Sequence, residues 1–554
     1  MNRSQEQRLA QLGAADASVA LRGNRIGLEK EALRVTAAAQ LAATPHPVAL
    51  GAALTHPHIT TDFSEALLEL ITAPLPGADA VLAELADIHR FVYQQLGDEA
   101  LWGNSMPCPL PAAAAIPLAR YGSSNAATMK TAYRRGLGNR YGRTMQLIAG
   151  VHVNFSLSDA FWELYQAQTV PAAPSAVAFR SAAQMGMIRN LQRIGWLVPY
   201  LFGASPAIDA SFVADQTTGL QPLTANTLCL PHATSLRMGD IGYQNKQEEG
   251  AGIKANYDSL DAYVRSLTWA IETPCPRYET IGIKVGGRYE QLNANVLQIE
   301  NEYYSTVRPK QPPQWLEKPS VALRRRGIRY VELRSLDVNP FEPVGVGHEQ
   351  LLLVETLMLD CLLRDSPRIG TRERQEIDDN QVLTAQRGRE PGLQLARART
   401  QITLRQWAHD HLTALVGTAE LLDGAADGAR SQVVRQQLAK VADPDLTPSA
   451  QVLAQLREQN LSFAEFTRQL SAHQRQQLQR EPLAPERLAW LTQLVADSHQ
   501  RQREIEAADT LNFDDFLAAY FAGSSPFEKS TSATPPFEKG GSGGISNQNG
   551  DHAA

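Results

Sequence analysis

The sequence predicts an α+β fold, with a partly antiparallel sheet in the first 340 residues and helices dominating the remainder. Three observations carry this expectation. Strand-like segments, alternating or rich in β-branched and aromatic residues, crowd the chain before residue 340. Gly286-Gly287 separates two such segments as a two-residue hairpin signal. After about residue 345 the apolar residues recur at helical spacing.

Taken in order, "RIGLEKEALRV" (25–35) and "ALLELIT" (66–72) read as strands. "ADAVLAELADIHRFVYQQLG" (78–97) has apolar residues at helical spacing, and "LIAGVHVNFSL" (147–157) alternates as a strand does. "AVAFRSAAQMGMIRNLQRIGWLVPYLFG" (176–203) is expected to be helical until Pro199 interrupts it. Further strands are expected in "TIGIKV" (280–285), "LQIENEYYSTV" (297–307) and "IRYVELRSLDV" (328–338). In the helical part, Thr447-Pro448 reads as an N-cap followed by Pro at N1, and Ser462 with Glu465 as a capping box. From Gly523 the composition changes: "PFEK" occurs at 526 and again at 536, followed by "GGSGG". Such a stretch has too little apolar surface to offset its ordering entropy and is expected to be disordered. The domain reading is one body over 1–522, sheet-rich over 1–345 and mainly helical over 346–522, with a low-complexity tail over 523–554.

Composition narrows the function classes. With 43% hydrophobic and 20% charged residues in 554, the chain has the balance of an ordinary folded, soluble protein. A net charge of -6 supplies no global basic field for nucleic acid, and the Arg runs "ALRRRGIRY" (322–330) and "RIGTRER" (368–374) read as solvated faces. The most apolar stretches are short or interrupted by Pro, Glu or Asp, and the first residues lack an apolar signal core. A cytoplasmic protein with no membrane partner is expected. Cys108, Cys229, Cys275 and Cys361 are scattered without a CxxC pair and are read as reduced and mostly buried.

Several strand candidates place acids or imidazoles where a core strand should be apolar. Glu29 and Glu31 are one residue apart, so in a strand they share a face. Asp62 precedes a run in which Glu69 sits among Leu67, Leu68, Leu70 and Ile71. His152 alternates with Asn154, and Glu332 with Arg334. Each has a plainer reading: pairing of the two glutamates with Arg25, Lys30 or Arg34, a surface position for Glu69, a satisfied core imidazole, an ordinary same-face ion pair. Together they describe a site for hard divalent cations such as Mg²⁺, with Mn²⁺ tolerated by the imidazole and an arginine left to face phosphate. GxxxxGK[ST], a strand–GxGxxG–helix unit, the kinase signatures, GxSxG and HExxH are all absent, so any nucleotide would be held by metal ions and arginines on a sheet surface.

These residues lie in blocks that carry a likeness. "GLEKEALRV", "ALTHPHITTDFSEALLELIT", "MQLIAGVHVNFSL", "ATSLRMGDIGY", "NANVLQIENEYYSTVRPK" and "YVELRSLDVNPFEPVGV" resemble, in this order, the proteobacterial glutamate-cysteine ligase family, also called γ-glutamylcysteine synthetase. The likeness spans about residues 20–350 and fades after 365. It implies a glutamine-synthetase-like fold, with an antiparallel sheet curved into a funnel and helices packed outside. It also implies ATP-dependent ligation of glutamate to cysteine through γ-glutamyl phosphate, with Mg²⁺ or Mn²⁺, in a monomer or small oligomer. Carried over motif by motif, the metal ligands would be Glu29, Glu31, Asp62, Glu69, His152 and Glu332. Glu332 and Arg334 would be catalytic, Arg334 facing the transferring phosphate, and Phe63, Tyr133, Arg237, Tyr243 and Tyr304 would build the amino-acid pockets. The competing readings are another glutamate-amine ligase of the same superfamily and a non-catalytic binding protein on this fold.

Overall fold

The computed structural model describes residues 3–15, 17–170, 175–214, 218–242, 254–426 and 428–523. Tyr243 and the repeated segment after Gly523 lie outside these residues. The central element is a seven-stranded sheet of β1 (Arg25–Val35), β2 (Ile59–Thr61), β3 (Leu67–Ile71), β4 (Ala100–Leu101), β5 (Val151–Ser156), β6 (Val307–Lys310) and β7 (Tyr330–Leu336). Its order is β6-β7-β5-β1-β3-β2, with β4 paired to the end of β1, and every pairing is antiparallel.

Register sorts the side chains by face. Directly opposed residues of an antiparallel pair point to the same side. Glu31 opposes Glu69, Glu29 opposes His152, Asn154 opposes Glu332, and Glu332 opposes Arg308. The polar residues noticed in the sequence thus form one continuous face. The intervening positions, among them Leu28, Leu68, Leu70, Val153, Phe155, Val331 and Leu333, are buried in the main core. Helix α1 (Gly77–Gln95) packs against β1 and β3. Further helices include α2 (Asn125–Tyr141), α3 (Ala176–Ile194), α4 (His348–Leu363) and α5 (Thr371–Arg387); α3 packs against both β6 and α4, and α4 against α1.

Several expectations from sequence hold. β1 spans the whole predicted segment 25–35, residues after 345 are mainly helical, Thr447 caps a helix with Pro448 at its start, and Ser462 and Glu465 form a capping box. All four cysteines are buried and free.

Three expectations fail. Segment 297–307 is a turn around the 3-10 helix Glu300–Glu302 and becomes a strand only at Val307, because the buried Glu302 carboxylate, held by the distant Arg140 and Tyr141, also accepts the Gln298 N–H (2.7 Å) and turns the chain there. Segment 280–285 contributes only Lys284–Val285 to an isolated hairpin with Arg288–Tyr289. Its turn is the expected Gly286-Gly287, both at positive φ, yet Lys284 and Val285 are exposed and bring no apolar face to the large sheet. The helix from 176 stops at Gly195, ahead of Pro199, which sits inside the separate short helix Leu197–Phe202 where its missing N–H breaks no bond.

Candidate active site

The alternation of β1 aims Glu29 and Glu31 at one place, and His152 of β5 stands between them. Its Nδ1 lies 3.2 Å from Glu29 Oε2 and its Nε2 3.8 Å from Glu31 Oε1. Glu29 also accepts from Asn154 Nδ2 (2.9 Å), and Glu31 from the Gly150 backbone N–H (2.7 Å). Across β7, Glu332 places Oε1 3.0 Å from Arg334 Nη1 and 3.8 Å from His152 Nδ1. Its other oxygen lies 3.2 Å from Lys310 Nζ, a charge contact without hydrogen-bond geometry. Glu29, His152 and Glu332 bring donor atoms to within 4.8 Å of one another, and all three are buried. Glu31, Asp62 and Glu69 extend the patch outside that triplet.

The electrostatics of the acids diverge. Burial pushes Glu29 up, but the hydrogen bond from His152, the charge of Lys310 and the hydrogen bond from Asn154 outweigh it and hold the carboxyl well below its usual range. Burial and the charge of Asp62 push Glu31 up to about 8 against the pull of Arg237 and Arg334. Glu69 rises well above the usual range through burial and the charges of Glu29, Asp62 and Glu31. Burial and Arg334 lower His152 to about 4, leaving a neutral imidazole with a lone pair to offer. Both oxygens of Glu69 are buried without a hydrogen-bond partner. Buried acids that cannot all ionise beside one another, one of them orphaned, plus a neutral imidazole, are a donor set that fits divalent cations.

Glu31, His152, Arg237, Arg334 and Tyr304 line a cleft of about 160 Å³, whereas Glu29, Glu69 and Glu332 are buried and do not line it. Arg237 is fixed by a bond to the Arg334 carbonyl (2.7 Å) and by Asp337 at 3.8 Å. It passes so close to β5 that a Cβ on Gly150 would lie 2.1 Å from Arg237 Nη2. Asp62 stays about one-fifth exposed, with Arg134 Nη2 at 3.6 Å. The Tyr304 hydroxyl is held by the Gln146 amide (2.9 Å). Phe63 and Tyr133 are buried away from the cleft lining, and Tyr243 lies outside the described residues.

Sequence reasoning passed over other residues here. Asn154, noticed as a neighbour of His152, holds Glu29; Lys310 faces Glu332; and α5 adds Arg374, Ile377, Asp378, Gln381 and Val382 to the cleft wall. The period-two spacing of Arg308 and Lys310, and the helical spacing of 374, 377, 378 and 381, were signals available in the sequence. Arg374 belongs to the run read as a solvated face, so that reading is corrected for this residue.

An antiparallel sheet whose buried acids and imidazole converge beside a cleft lined by Glu31, His152, Arg237 and Arg334 defines an α+β protein with a donor set suited to divalent-cation and phosphate chemistry. The sequence pattern of the glutamate-cysteine ligase family matches residues 9–383. The glutamate–cysteine ligase of Alcanivorax borkumensis is 45% identical over 522 residues, covering 93% of this chain and 99% of that protein. The Pseudomonas aeruginosa enzyme of the same name is 46% identical over 516 residues, covering 93% and 97%. The crystal structure of the Francisella tularensis glutamate–cysteine ligase in complex with AMP superposes with a TM-score of 0.84 at 34% identity, covering 90% of this chain and 98% of that one. The chain belongs to the glutamate-cysteine ligase family.

Proposed function

We propose that the acid face of the sheet is where this chain performs the reaction its family is named for. That reaction joins the γ-carboxylate of glutamate to the amino group of cysteine with ATP, giving γ-glutamylcysteine, ADP and phosphate, the first step of glutathione synthesis. The observation that carries the reading is the convergence of Glu29, Glu31, Glu69, His152 and Glu332 from four strands onto one face. The AMP held by the Francisella enzyme supports an adenine nucleotide for this chain as well.

A carboxylate is a poor electrophile, so its γ-oxygen first attacks the γ-phosphorus of ATP, ADP leaves, and γ-glutamyl phosphate forms. Glu29, Glu31, Asp62, Glu69, His152 and Glu332 would hold Mg²⁺ or Mn²⁺, which when bound neutralise charge between triphosphate and substrate carboxylate. Glu332, 3.0 Å from Arg334 Nη1, aims that guanidinium at the cleft, where it would stabilise the transferring phosphoryl group. Asn154 and His152 fix Glu29, and Gly150 fixes Glu31, so these acids are set before substrate arrives. The cysteine nitrogen then attacks the acyl carbon, losing a proton, and phosphate departs. Arg237, braced by Asp337, would pair with the cysteine carboxylate, with Tyr304, Tyr243, Phe63 and Tyr133 shaping the amino-acid pockets.

The same reading takes the sheet as the curved funnel of a glutamine-synthetase-like fold, residues 1–522 as one catalytic body, and the cytosol as the site of action. Among the described residues no helix is long and apolar enough to cross a membrane. The test is ADP release and product mass with ATP, Mg²⁺, glutamate and cysteine, omitting each in turn. Product should require all four, and Glu332→Gln should lower turnover by roughly 100-fold or more with the fold retained. Phosphate release independent of both amino acids, or a fully active variant, would sink the assignment.

A further inference from the structure

A sulfur atom stands against the guanidinium that the reaction scheme assigns to the cysteine carboxylate. Met238 ends the 3-10 helix Leu236–Met238, and its backbone N–H is capped by Ser235 Oγ at 3.2 Å. The cap fixes the residue so that Met238 Sδ accepts from Arg237 Nη1, also at 3.2 Å. Both side chains line the cleft. A thioether is a weak acceptor, so it steadies the guanidinium without competing with a carboxylate for it. Of the seven methionines among the described residues, Met238 alone lines this cleft. Met145 is half-buried elsewhere, with Sδ 3.9 Å from Gln146 Nε2, and the other five are at most 4% exposed. Thiols compete poorly: all four cysteines are buried, and burial raises the thiols of Cys108, Cys229 and Cys361 away from the reactive thiolate form.

A small peroxide that enters the cleft meets this sulfur. The sulfur lone pair attacks one peroxide oxygen, an S–O bond forms as the O–O bond breaks, and the departing hydroxide takes up the proton of the transferred oxygen and leaves as water. Sulfur loses two electrons and the peroxide gains them. The product is a sulfoxide, which turns a flexible apolar side chain into a polar one with a strong acceptor oxygen. Set beside Nη1, that oxygen holds the guanidinium far more firmly than a thioether does, and an incoming carboxylate must displace it. We propose that Met238 is a peroxide-sensitive modification site, its sulfoxide withdrawing Arg237 from the cysteine carboxylate and so slowing ligation while peroxide is present.

The inference rests on the ligase reading, and one experiment separates the two. Full-length wild type, Met238→Leu, Met238→Gln and Met145→Leu are treated with hydrogen peroxide, cleared of it with catalase, and assayed with glutamate, cysteine and ATP titrated in turn. Peptide mass reads the oxidation of Met238, and each treated sample is compared with its own untreated one. In the wild type and in Met145→Leu, oxidation should raise the cysteine KM by roughly 10-fold or more, with the glutamate and ATP values within about twofold. Met238→Leu keeps the volume and lacks the sulfur, so peroxide should change its cysteine KM by less than about twofold. Met238→Gln carries a carbonyl oxygen near the guanidinium and should show the raised cysteine KM before any peroxide. Dithiothreitol alone, which reverses disulfides and sulfenic acids but not sulfoxides, should not restore the treated wild type. Should Met238→Gln fail to fold, Met238→Leu decides alone. Met238→Leu as sensitive as the wild type, Met238 oxidised with the cysteine KM unchanged, or recovery with dithiothreitol alone overturns the inference. An untreated wild type that forms no γ-glutamylcysteine overturns the ligase reading and takes this inference with it.

Discussion

Glu69 occupies the middle of a strand whose neighbours Leu67, Leu68, Leu70 and Ile71 are all buried, and neither of its oxygens meets a hydrogen-bond donor. Glu29, equally buried, is satisfied by Asn154 and His152. The contrast separates two kinds of buried acid. Glu29 is stable as it stands, whereas Glu69 costs several kcal/mol unless it is neutral or a cation reaches it. Glu69→Gln keeps the shape and removes the charge. Without divalent ions the variant should therefore melt at or slightly above the wild-type temperature. In the wild type, Mn²⁺ at about 100 times its Kd should add roughly 2.7 kcal/mol of stability, seen as a melting point higher by a few degrees; the variant should lose most of that gain together with its activity. Differential scanning fluorimetry with and without Mn²⁺ reads both effects, and an undiminished Mn²⁺ shift in the variant would remove Glu69 from the cation site.

At the scale of elements, what could be read in advance depended on how local the deciding interaction was. β1 was legible end to end because its alternation and its misplaced acids are both visible within eleven residues. The acid patch was legible for the same reason: an acid inside an apolar run advertises itself. Gly150 was not, since a glycine's use as clearance for Arg237 exists only after distant segments meet, and the spacing of Arg308 and Lys310, visible in the sequence, did not say that Lys310 would approach Glu332. The misread segment 297–307 shows the principle most directly. Its β-branched and aromatic residues favour a strand, but Glu302 is claimed from 162 positions away by Arg140 Nη1 (2.9 Å) and also by the Tyr141 hydroxyl (2.7 Å). Both side chains of the Arg140–Glu302 pair are fully buried. Removing one partner leaves the other charge uncompensated, so Glu302→Gln should destabilise the protein by about 3–5 kcal/mol. Chemical denaturation of the variant measures it; a loss below about 1 kcal/mol would mean that the pair does not hold this turn in place.

On the scale of the whole molecule, the last helices are tied to the parts of the chain that carry the sheet. Helix Pro485–Ala508 meets the segment between β1 and β2, where the Ala52 N–H donates to Ser498 Oγ (2.9 Å) and Thr55 Oγ1 donates to the Ser498 carbonyl (2.6 Å). Asp509 accepts from Asn125 Nδ2 (2.9 Å) at the start of α2, the helix that also supplies Tyr133 and Arg134. Beyond it, helix Phe513–Ala522 packs on α2, Asp514 accepts from the Tyr289 hydroxyl (2.7 Å), and the Phe521 carbonyl accepts from Lys318 Nζ (2.8 Å). These contacts join sheet and helices across hundreds of residues, so a chain ended after Ala484 should lose cooperative unfolding and activity together. Ending it after Gly523 removes none of them. That shorter chain should keep kcat within about twofold and its melting temperature within about 2 °C, since changes away from packed features usually stay near ±0.5 kcal/mol. Parallel kinetics and calorimetry of the two truncations decide the matter: activity surviving the cut at 484, or lost on the cut at 523, would place the boundary of the catalytic body somewhere other than residue 522.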